Sequence, residues 1–146
     1  MTTIQELAIK ETIRTQKAKY CRYLDTKQFD EWEALFKPDA AIIFYNPDQT
    51  ILGKFDSIAE LSPLARKVFG GRVTAHQIHN SEIELKSDTA VSAIWSVGDF
   101  QIHTATEGEA AKAEHGYGFF HETWERLGET WLIASLEFRR TIEWPS

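Results

Sequence analysis

The stretch "KYCRYLDTKQFDEWEALF", residues 19–36, carries a carboxylate where a helix normally presents its buried face. Asp25 follows a run of apolar and aromatic positions. Asp bonds local backbone amides well, so Asp25 is compatible with a plain turn before a second helix. It is also compatible with a pocket carboxylate, because tyrosine hydroxyls occur on both sides of it in the sequence, at Tyr20, Tyr23 and Tyr45.

A histidine in the second half of the chain adds to this set of polar side chains. His76 lies in "RVTAHQIHNSEIEL", where strand alternation puts Ile78 and Asn80 on the same face. His79 is three residues away and points to the opposite face, which argues against a metal ion shared by the two histidines. The alternative interpretation is that His76 is a structural histidine, with its ring nitrogens hydrogen-bonded inside or beside the sheet. With the tyrosines, these residues predict a pocket that is polar at its base.

Hydrophobic periodicity predicts the helices that position Asp25. Thr3 followed by Glu6 matches a capping pattern, which predicts a helix from there to about Leu24. A short helix is predicted over residues 29–36, with Asp30 near its start. The apolar stripe of the first helix is Ile9, Ile13, Lys17 or Gln16, Tyr20 and Leu24.

The rest of the chain predicts one more helix and a sheet. Residues 40–46 are apolar and indicate a strand, and residues 56–70 indicate a helix that contains Pro63 and ends at a pair of glycines. Four β-rich segments follow, separated by turn-like residues. They are residues 72–85, 89–102, 114–127 and 130–144. The pattern predicts a single α+β domain over residues 1–146, with helices packed on one face of a curved, mainly antiparallel sheet.

Two of these segments carry charged or polar side chains whose direction the alternation leaves open. In the third segment, one face carries His115, Tyr117, Phe119 and His121, and the other carries Phe120, Glu122 and Trp124. Arg139 and Arg140 also point in opposite directions, so at most one of them can reach an interior cavity. There it would bind an anionic group or pair with a buried acid, although surface placement is the expectation for both.

Composition excludes several classes of protein. The 146 residues are 42% hydrophobic and 26% charged, as in globular proteins, and the net charge of −6 comes without a Lys/Arg stripe. A nucleic-acid partner is therefore not expected. Cys21 is the single cysteine, which excludes an internal disulfide framework and a multi-cysteine zinc site. No segment has the roughly 18 apolar residues of a membrane span, and we expect a cytoplasmic protein without membrane contact.

Three segments together resemble the SnoaL-like branch of the nuclear transport factor 2-like superfamily. They are "YCRYLDTKQFDEWEALFKPDAAIIF", "TAHQIHNSEIEL" and "HGYGFFHETWERLGETWLIAS", and they span nearly the whole chain. Within that family the motifs are similar to those of the scytalone dehydratases. The resemblance implies a cone-shaped α+β barrel, in which three helices and a strongly bent sheet enclose a pocket open at one end.

The resemblance also implies roles for individual residues. Asp25 matches the buried acidic partner of the family, and His76 matches its catalytic histidine. Tyr45 matches a tyrosine that helps to hold a water on a substrate carbonyl. Leu24 stands where scytalone dehydratases have a second tyrosine. Further substrate-binding residues are expected among Tyr20, Tyr23, Asn80, His115 and Tyr117, with either His115 or Tyr117 in the place of the second acid–base group.

A neutral imidazole held by a carboxylate is suited to removing a proton next to a carbonyl. The carboxylate fixes the tautomer and stabilises the imidazolium, and tyrosine donors polarise the carbonyl, so neither a metal nor an organic cofactor is needed. We therefore expect a cofactor-independent, dehydratase-like lyase acting on a small cyclic or aromatic hydroxy-ketone. An isomerase or cyclase with the same dyad is the first alternative, and a protein that only binds a small hydrophobic or aromatic ligand is the second.

Self-association is the remaining expectation. The resemblance implies a homodimer or homotrimer built through the outer face of the sheet. Phe120 and Trp124, with Trp95 on a neighbouring strand, would supply apolar area on that face.

Overall fold

Three helices and six strands follow one another in the computed structural model, which describes residues 1–104 and 106–145. The helices are α1 (Thr3–Asp25), α2 (Phe29–Glu33) and α3 (Ile58–Gly70). The strands are β1 (Phe36–Tyr45), β2 (Ile51–Phe55), β3 (Arg72–Leu85), β4 (Ala90–His103), β5 (Lys112–Leu127) and β6 (Thr130–Trp144).

The cap of α1 lies one residue before the predicted position. Thr2 has an extended backbone, and its hydroxyl accepts a hydrogen bond from the amide of Gln5. The Gln5 side chain in turn accepts from the amide of Thr2, so the capping box is Thr2–Gln5 and the predicted Thr3–Glu6 pair is wrong. The buried stripe agrees with the prediction from helical spacing. Its members are Ile13, Lys17, Tyr20, Cys21 and Leu24.

Helix α2 ends three residues earlier than its apolar pattern predicts. The amide of Ile133 in β6 donates to the carbonyl of Leu35 at 2.8 Å, and Phe36 pairs with Ile133 in the sheet. Phe36 is 4% exposed and contributes to the core as a strand residue. Pairing with β6 therefore overrides the local helical preference at residues 34–36, and β1 begins before the predicted residue 40.

One sheet contains all six strands in the order β2-β1-β6-β5-β4-β3. The β1 and β6 strands are parallel, and every other neighbouring pair is antiparallel. The edge strand β2 was not predicted, because its five residues are mostly exposed and lack a clear alternation. The predicted class, helices on one face of a curved and mainly antiparallel sheet, is confirmed.

Irregular pairing bends the long strands around the helices. The register shifts between Ile78 and Ser81 of β3 and between Tyr117 and Gly118 of β5. At the second shift the backbones come so close that a Cβ on Gly118 would lie 2.4 Å from the carbonyl oxygen of Arg139. Shifts of this kind increase the local twist and curvature of a sheet, which gives it a concave side.

The concave side carries three aromatic residues that the sequence-based prediction assigns to the outer face of the sheet. Trp95, Phe120 and Trp124 are 2%, 4% and 0% exposed and belong to the core. The other face of β5 points outward, with Tyr117 at 48% and Phe119 at 41% exposure. The expected inward and outward faces of β5 are therefore exchanged, and the predicted apolar contact surface of Phe120, Trp124 and Trp95 is wrong.

Candidate active site

Asp25 and His76 are in direct contact although 51 positions separate them in the sequence. The Nδ1 of His76 lies 2.7 Å from Oδ1 of Asp25, and the backbone amide of His76 donates to Oδ2 at 2.9 Å. The Thr74 hydroxyl donates to Oδ1 at 2.9 Å. Helix α1 ends against β3, so the last residue of the helix reaches donors on one strand at two alternate positions.

These donors keep the Asp25 carboxylate charged in an unfavourable place. The C-terminal end of a helix carries partial negative charge, which opposes a carboxylate there. Burial also acts to raise the pKa of Asp25. The hydrogen bonds from the His76 ring and amide, the attraction to His76 and the Thr74 hydroxyl outweigh it and hold the pKa below its ordinary 3.8. Asp25 is therefore an acceptor, which assigns the ring proton of His76 to Nδ1.

The assignment leaves the other ring nitrogen of His76, Nε2, with a lone pair. The His76 side chain is only 7% exposed, and the Phe69 ring meets it edge-on at 5.4 Å between centroids. Such packing fixes the plane of the imidazole. His76 lines the main cavity, whereas Asp25 stands behind it and is absent from the lining. The arrangement gives one base that faces the cavity and one carboxylate that orients it.

The cavity lies between the helices and the concave face of the sheet and has a volume of about 240 Å³. This is slightly below the roughly 300–1,000 Å³ of drug-sized ligand sites, so the cavity suits a small molecule. Most of its wall is apolar. The apolar lining residues are Leu24, Trp32, Phe44, Leu52, Leu61, Leu64, Ala65, Val68, Phe69, Val97, Phe120 and Phe138.

A second polar group faces the cavity from the strands beside His76. Asp99, the β4 residue paired with His76 in the sheet, accepts two hydrogen bonds of 3.0 Å from Nη1 and Nη2 of Arg140. Gln101 donates to Asp99 at 2.9 Å and accepts from Arg72 at 2.7 Å. We call these four residues, Arg72, Asp99, Gln101 and Arg140, the polar wall; all four line the cavity.

The polar wall determines the charge of Asp99. Burial acts to raise the pKa of this carboxyl, but the hydrogen bonds and charge of Arg140 outweigh it, with smaller contributions from Gln101 and His76. The net pKa of Asp99 is therefore below its ordinary 3.8. A second ionised carboxylate thus stands next to His76 in the cavity wall.

Of the tyrosines predicted near Asp25, two line the cavity and one does not. Tyr45 and Tyr20 both line the cavity, and the guanidinium of Arg139 lies 4.0 Å from the centroid of the Tyr45 ring. Burial raises the pKa of Tyr20 well above its ordinary 10.0, so this hydroxyl stays protonated as a donor. Tyr23 is partly buried against the core but does not line the cavity, and its ring faces Arg22.

Besides Tyr23, three more predicted binding residues lie away from the cavity. His115 and Tyr117 are on the outward face of β5, with His115 stacked on Phe100 at 4.5 Å between ring centroids. The inward positions of that strand are Gly116 and Gly118, so neither His115 nor Tyr117 faces His76 as expected. Asn80 is exposed, because the irregularity after Ile78 breaks the strict alternation on which its assignment depended.

The polar wall is the part of the site that the sequence pattern did not reveal. A charged residue in the middle of the apolar run "SVGDFQI" was a usable signal for Asp99. Arg140 pairs with a buried acid, Asp99, which is one of the two roles expected of an arginine that reaches the cavity. Its side chain is 16% exposed, so the expected surface placement is wrong for Arg140.

A buried ion pair supports the floor of the cavity. The ammonium of Lys17 in α1 bonds to the carboxylate of Glu122 in β5, with side chains 1% and 0% exposed. Lys17 Nζ also lies 3.7 Å from the ring centroid of Tyr20 and 3.6 Å from that of Phe120, two cavity-lining residues. Lys17 therefore packs against the rings of Tyr20 and Phe120 and helps to hold them in the cavity wall.

Two further features bear on partners. Within residues 1–104 and 106–145, no group of three or more His, Cys, Asp or Glu side chains is arranged to hold a metal ion. The same residues include no helix that is long and apolar enough to cross a bilayer.

Comparison with known proteins identifies the family of the chain. The model of the SnoaL-like domain family matches residues 5–137 of the chain. A relative from Gibberella zeae, "Probable cyclase FGR4", is 30% identical over 135 residues, which is 88% of this chain and 88% of the relative.

Solved structures give the same cone-shaped arrangement. A protein from Novosphingobium aromaticivorans described as "Putative Scytalone Dehydratase" has a TM-score of 0.82 at 22% identity, covering 97% of this chain and 90% of its own. A hexachlorocyclohexane dehydrochlorinase, LinA type 2, has a TM-score of 0.82 at 18% identity, with 99% and 93% covered. At such identities the likeness shows the fold alone.

Proposed function

The chain belongs to the SnoaL-like domain family, and from this premise we propose that it is a cofactor-independent, dehydratase-like lyase. The proposed substrate is a small cyclic or aromatic hydroxy-ketone. The observation that carries the proposal is the 2.7 Å contact between Asp25 and the Nδ1 of His76, which leaves the second ring nitrogen to serve as a base at the cavity.

Proton removal is the first step that the geometry supports. A base acts well when its pKa is near the working pH, and a neutral imidazole fulfils this condition. Asp25 holds the tautomer and direction of His76 and stabilises the positive charge that the ring acquires. The low exposure of His76 keeps bulk water from competing for the base. The bond broken is the C–H bond next to the substrate carbonyl, and its electron pair moves toward the carbonyl oxygen.

Loss of water completes the proposed reaction. When the enolate carbonyl re-forms, the electron pair expels the hydroxyl group at the next carbon. The imidazolium of His76 can return its proton to this leaving oxygen, because both groups lie on the same side of a bound substrate in a syn elimination. His115 and Tyr117, which face outward, are not needed for this transfer. Tyr45 and the protonated Tyr20 remain as hydroxyl donors in the lining.

A cyclase using the same base is the second candidate. The Gibberella zeae relative, which covers most of both chains, is named as a cyclase. Proton abstraction by His76 would then create a carbon nucleophile that closes a ring within the substrate. The two reactions differ in their products, because a lyase releases water whereas a simple cyclisation leaves the mass of the substrate unchanged. Mass spectrometry of the product separates them.

Turnover of a panel of small cyclic and aromatic hydroxy-ketones tests the proposal. We expect His76→Ala to reduce the rate by roughly 10²–10⁴, the usual contribution of a positioned base, without a large change in melting temperature. Asp25→Asn should also lose rate, and the double variant should be little worse than the worse single variant because the residues act together. His79→Ala, an exposed histidine of the same strand, is the matched control.

Activity is expected without added metal and in the presence of a chelator. Wild-type turnover in both His76→Ala and Asp25→Asn would contradict the proposal. Saturable binding of the panel compounds by the wild-type protein with no product from any of them would instead favour a protein that only binds its ligand.

A further inference from the structure

The polar wall contains a charged pair that the proposed proton transfer does not use. Asp99 and Arg140 are 7% and 16% exposed in their side chains, yet both line the cavity. Removing two charges from water is costly, and a buried ion pair is often no more stable than apolar residues of the same volume. The free energy of the pair alone therefore gives little reason for placing it at the cavity surface.

The pair occupies space that the sequence leaves open for it. Arg140 extends from β6 across β5 to reach Asp99 on β4, and it passes over Gly116. A Cβ on Gly116 would lie 1.5 Å from Nη1 of Arg140 and 2.4 Å from Oδ1 of Asp99. Because even one methyl group would displace the guanidinium, glycine at this inward position is a requirement of the pair.

The hydrogen-bonding capacity of Arg140 exceeds what Asp99 uses. A guanidinium has five N–H donors, and the two bonds to Asp99 take one from Nη1 and one from Nη2. Three N–H donors of Arg140 are therefore not used by Asp99. The two bonds to Asp99 hold the guanidinium in place, and Arg140 lines the cavity. The pair is also close to the base, because Asp99 is the strand neighbour of His76 and neighbouring strands lie about 4.8 Å apart.

We propose that Arg140, fixed by Asp99 over Gly116, binds the substrate oxygen that becomes negative when His76 removes a proton. This inference rests on the proposed function, since it assigns the oxyanion-binding group of the same cavity. Preorganised donors aimed at developing charge are a large source of rate enhancement in a site that excludes water. The hydroxyls of Tyr45 and Tyr20 would assist but carry no charge.

Binding of 4-nitrophenol tests this role without any turnover. Its phenolate oxygen represents the enolate oxygen, and its ionisation is followed by absorbance as pH is varied. We expect the phenolate to bind wild-type protein about tenfold more tightly than the phenol, the ratio that a differential interaction of about 1.4 kcal/mol produces. The bound compound should therefore ionise at a lower pH than the free compound.

Variants separate Arg140 from the other cationic side chains that line the cavity, Arg72 and a protonated His76. Arg140→Met and Gly116→Ala should abolish the preference for phenolate, and Arg140→Lys should retain part of it because the charge remains but the fork is lost. His76→Gln and Arg72→Met should both keep the preference, which excludes a protonated His76 and the Arg72 guanidinium as its source. Arg66→Met is the matched control, an arginine that pairs with Asp30 and Glu33 outside the cavity.

The outcomes distinguish this inference from the proposed function. Preference for phenolate that depends on Arg140, in a protein with no turnover, would support the inference and contradict the lyase. Equal binding of phenol and phenolate by wild-type protein, or an unchanged preference in folded Arg140→Lys and Gly116→Ala, would overturn the role of Arg140 even if turnover is found. Circular dichroism of each variant verifies that it is folded.

Discussion

At the scale of single residues, the bonds of Asp25 explain why a carboxylate ends α1. A plain turn aspartate accepts hydrogen bonds from amides of its own turn. The Asp25 oxygens instead accept from Thr74 and from the ring and amide of His76, all on β3. The helix end supplies no compensation, since its dipole opposes the charge. The position therefore serves His76 rather than the turn.

The two ionised carboxylates of the site predict a loss of stability in acid. The folded-state pKa values of Asp25 and Asp99 lie below the ordinary 3.8. As pH falls through 3.8 and below, the unfolded chain takes up these protons first, so the free energy of unfolding decreases. The contribution is present above about pH 4 and is lost as pH falls through the folded-state values. Urea unfolding at neutral pH and near pH 3 measures it.

Asparagine variants identify the residues responsible for this acid sensitivity. Asp99→Asn should be less stable than wild type at neutral pH, because Arg140 loses its charged partner, and should lose less stability on acidification. Asp88→Asn, an exposed aspartate in the turn after β3, should follow the wild-type profile. If Asp99→Asn shows the full wild-type dependence, the Asp99–Arg140 pair does not contribute to it.

At the scale of the elements, the buried pair of Lys17 and Glu122 attaches α1 to β5. The Glu122 carboxylate also accepts from the indole nitrogens of Trp95 and Trp124, at 2.7 and 3.0 Å. Lys17→Met leaves this carboxylate buried without its cation, which we expect to cost roughly 3–5 kcal/mol of unfolding free energy. Adding Glu122→Gln should recover most of the loss, because the amide oxygen still accepts from the indoles. Chemical denaturation of the two single variants and the double variant measures the coupling.

An exposed pair is the control for this prediction. Lys86 bonds Glu84 at 3.0 Å with both side chains largely in solvent, so Lys86→Met should change stability little. A Lys17→Met variant as stable as wild type would show that the two buried charges are not coupled. The same would follow if the double variant lost more unfolding free energy than the sum of the losses in the two single variants.

Helices and strands with a clear hydrophobic pattern were predictable from the sequence. Features that depend on pairing with a distant strand were not. The stripes of α1 and α3 follow from helical spacing, and the four long strands follow from their composition. The end of α2 depends on Phe36 joining β6, about 100 residues away in sequence. The inward face of β5 could not be chosen from alternation, because both faces carry aromatic residues, and the glycines at 116 and 118 were the unused signal.

At the scale of the whole molecule, the site brings together side chains that are far apart in the chain. The Asp25–His76 contact spans 51 positions and the Asp99–Arg140 contact spans 41. The first contact was predictable because the family resemblance fixes both positions. The second depends on a long side chain crossing a glycine in the middle strand of three, a geometry that strand patterns do not encode.

Self-association is the expectation for the whole molecule that stays a prediction. With Phe120, Trp124 and Trp95 buried, the apolar area left on the outer face comes from other residues of β5 and β6. Tyr117, Phe119 and Ile142 are 48%, 41% and 57% exposed. We expect a homo-oligomer, most simply a dimer, that contacts through this face. Sedimentation velocity at micromolar concentration measures the species present.

Changing the outer face tests which surface is used. Phe119→Glu should shift the sedimentation profile toward monomer, because a charge replaces exposed apolar area on the proposed contact. A wild-type protein that sediments only as a monomer would exclude the oligomer. An oligomer unaffected by Phe119→Glu would place the contact on another surface.

Hydrogen exchange in a ketone measures whether His76 acts as a base at the cavity. Small cyclic ketones without a leaving group are incubated in D₂O with the protein, and loss of the proton next to the carbonyl is followed by NMR. We predict exchange catalysed by the wild type and by His79→Ala, and a loss of roughly 10²–10⁴ in His76→Ala. Exchange by the folded His76→Ala variant at the wild-type rate would show that His76 is not the base.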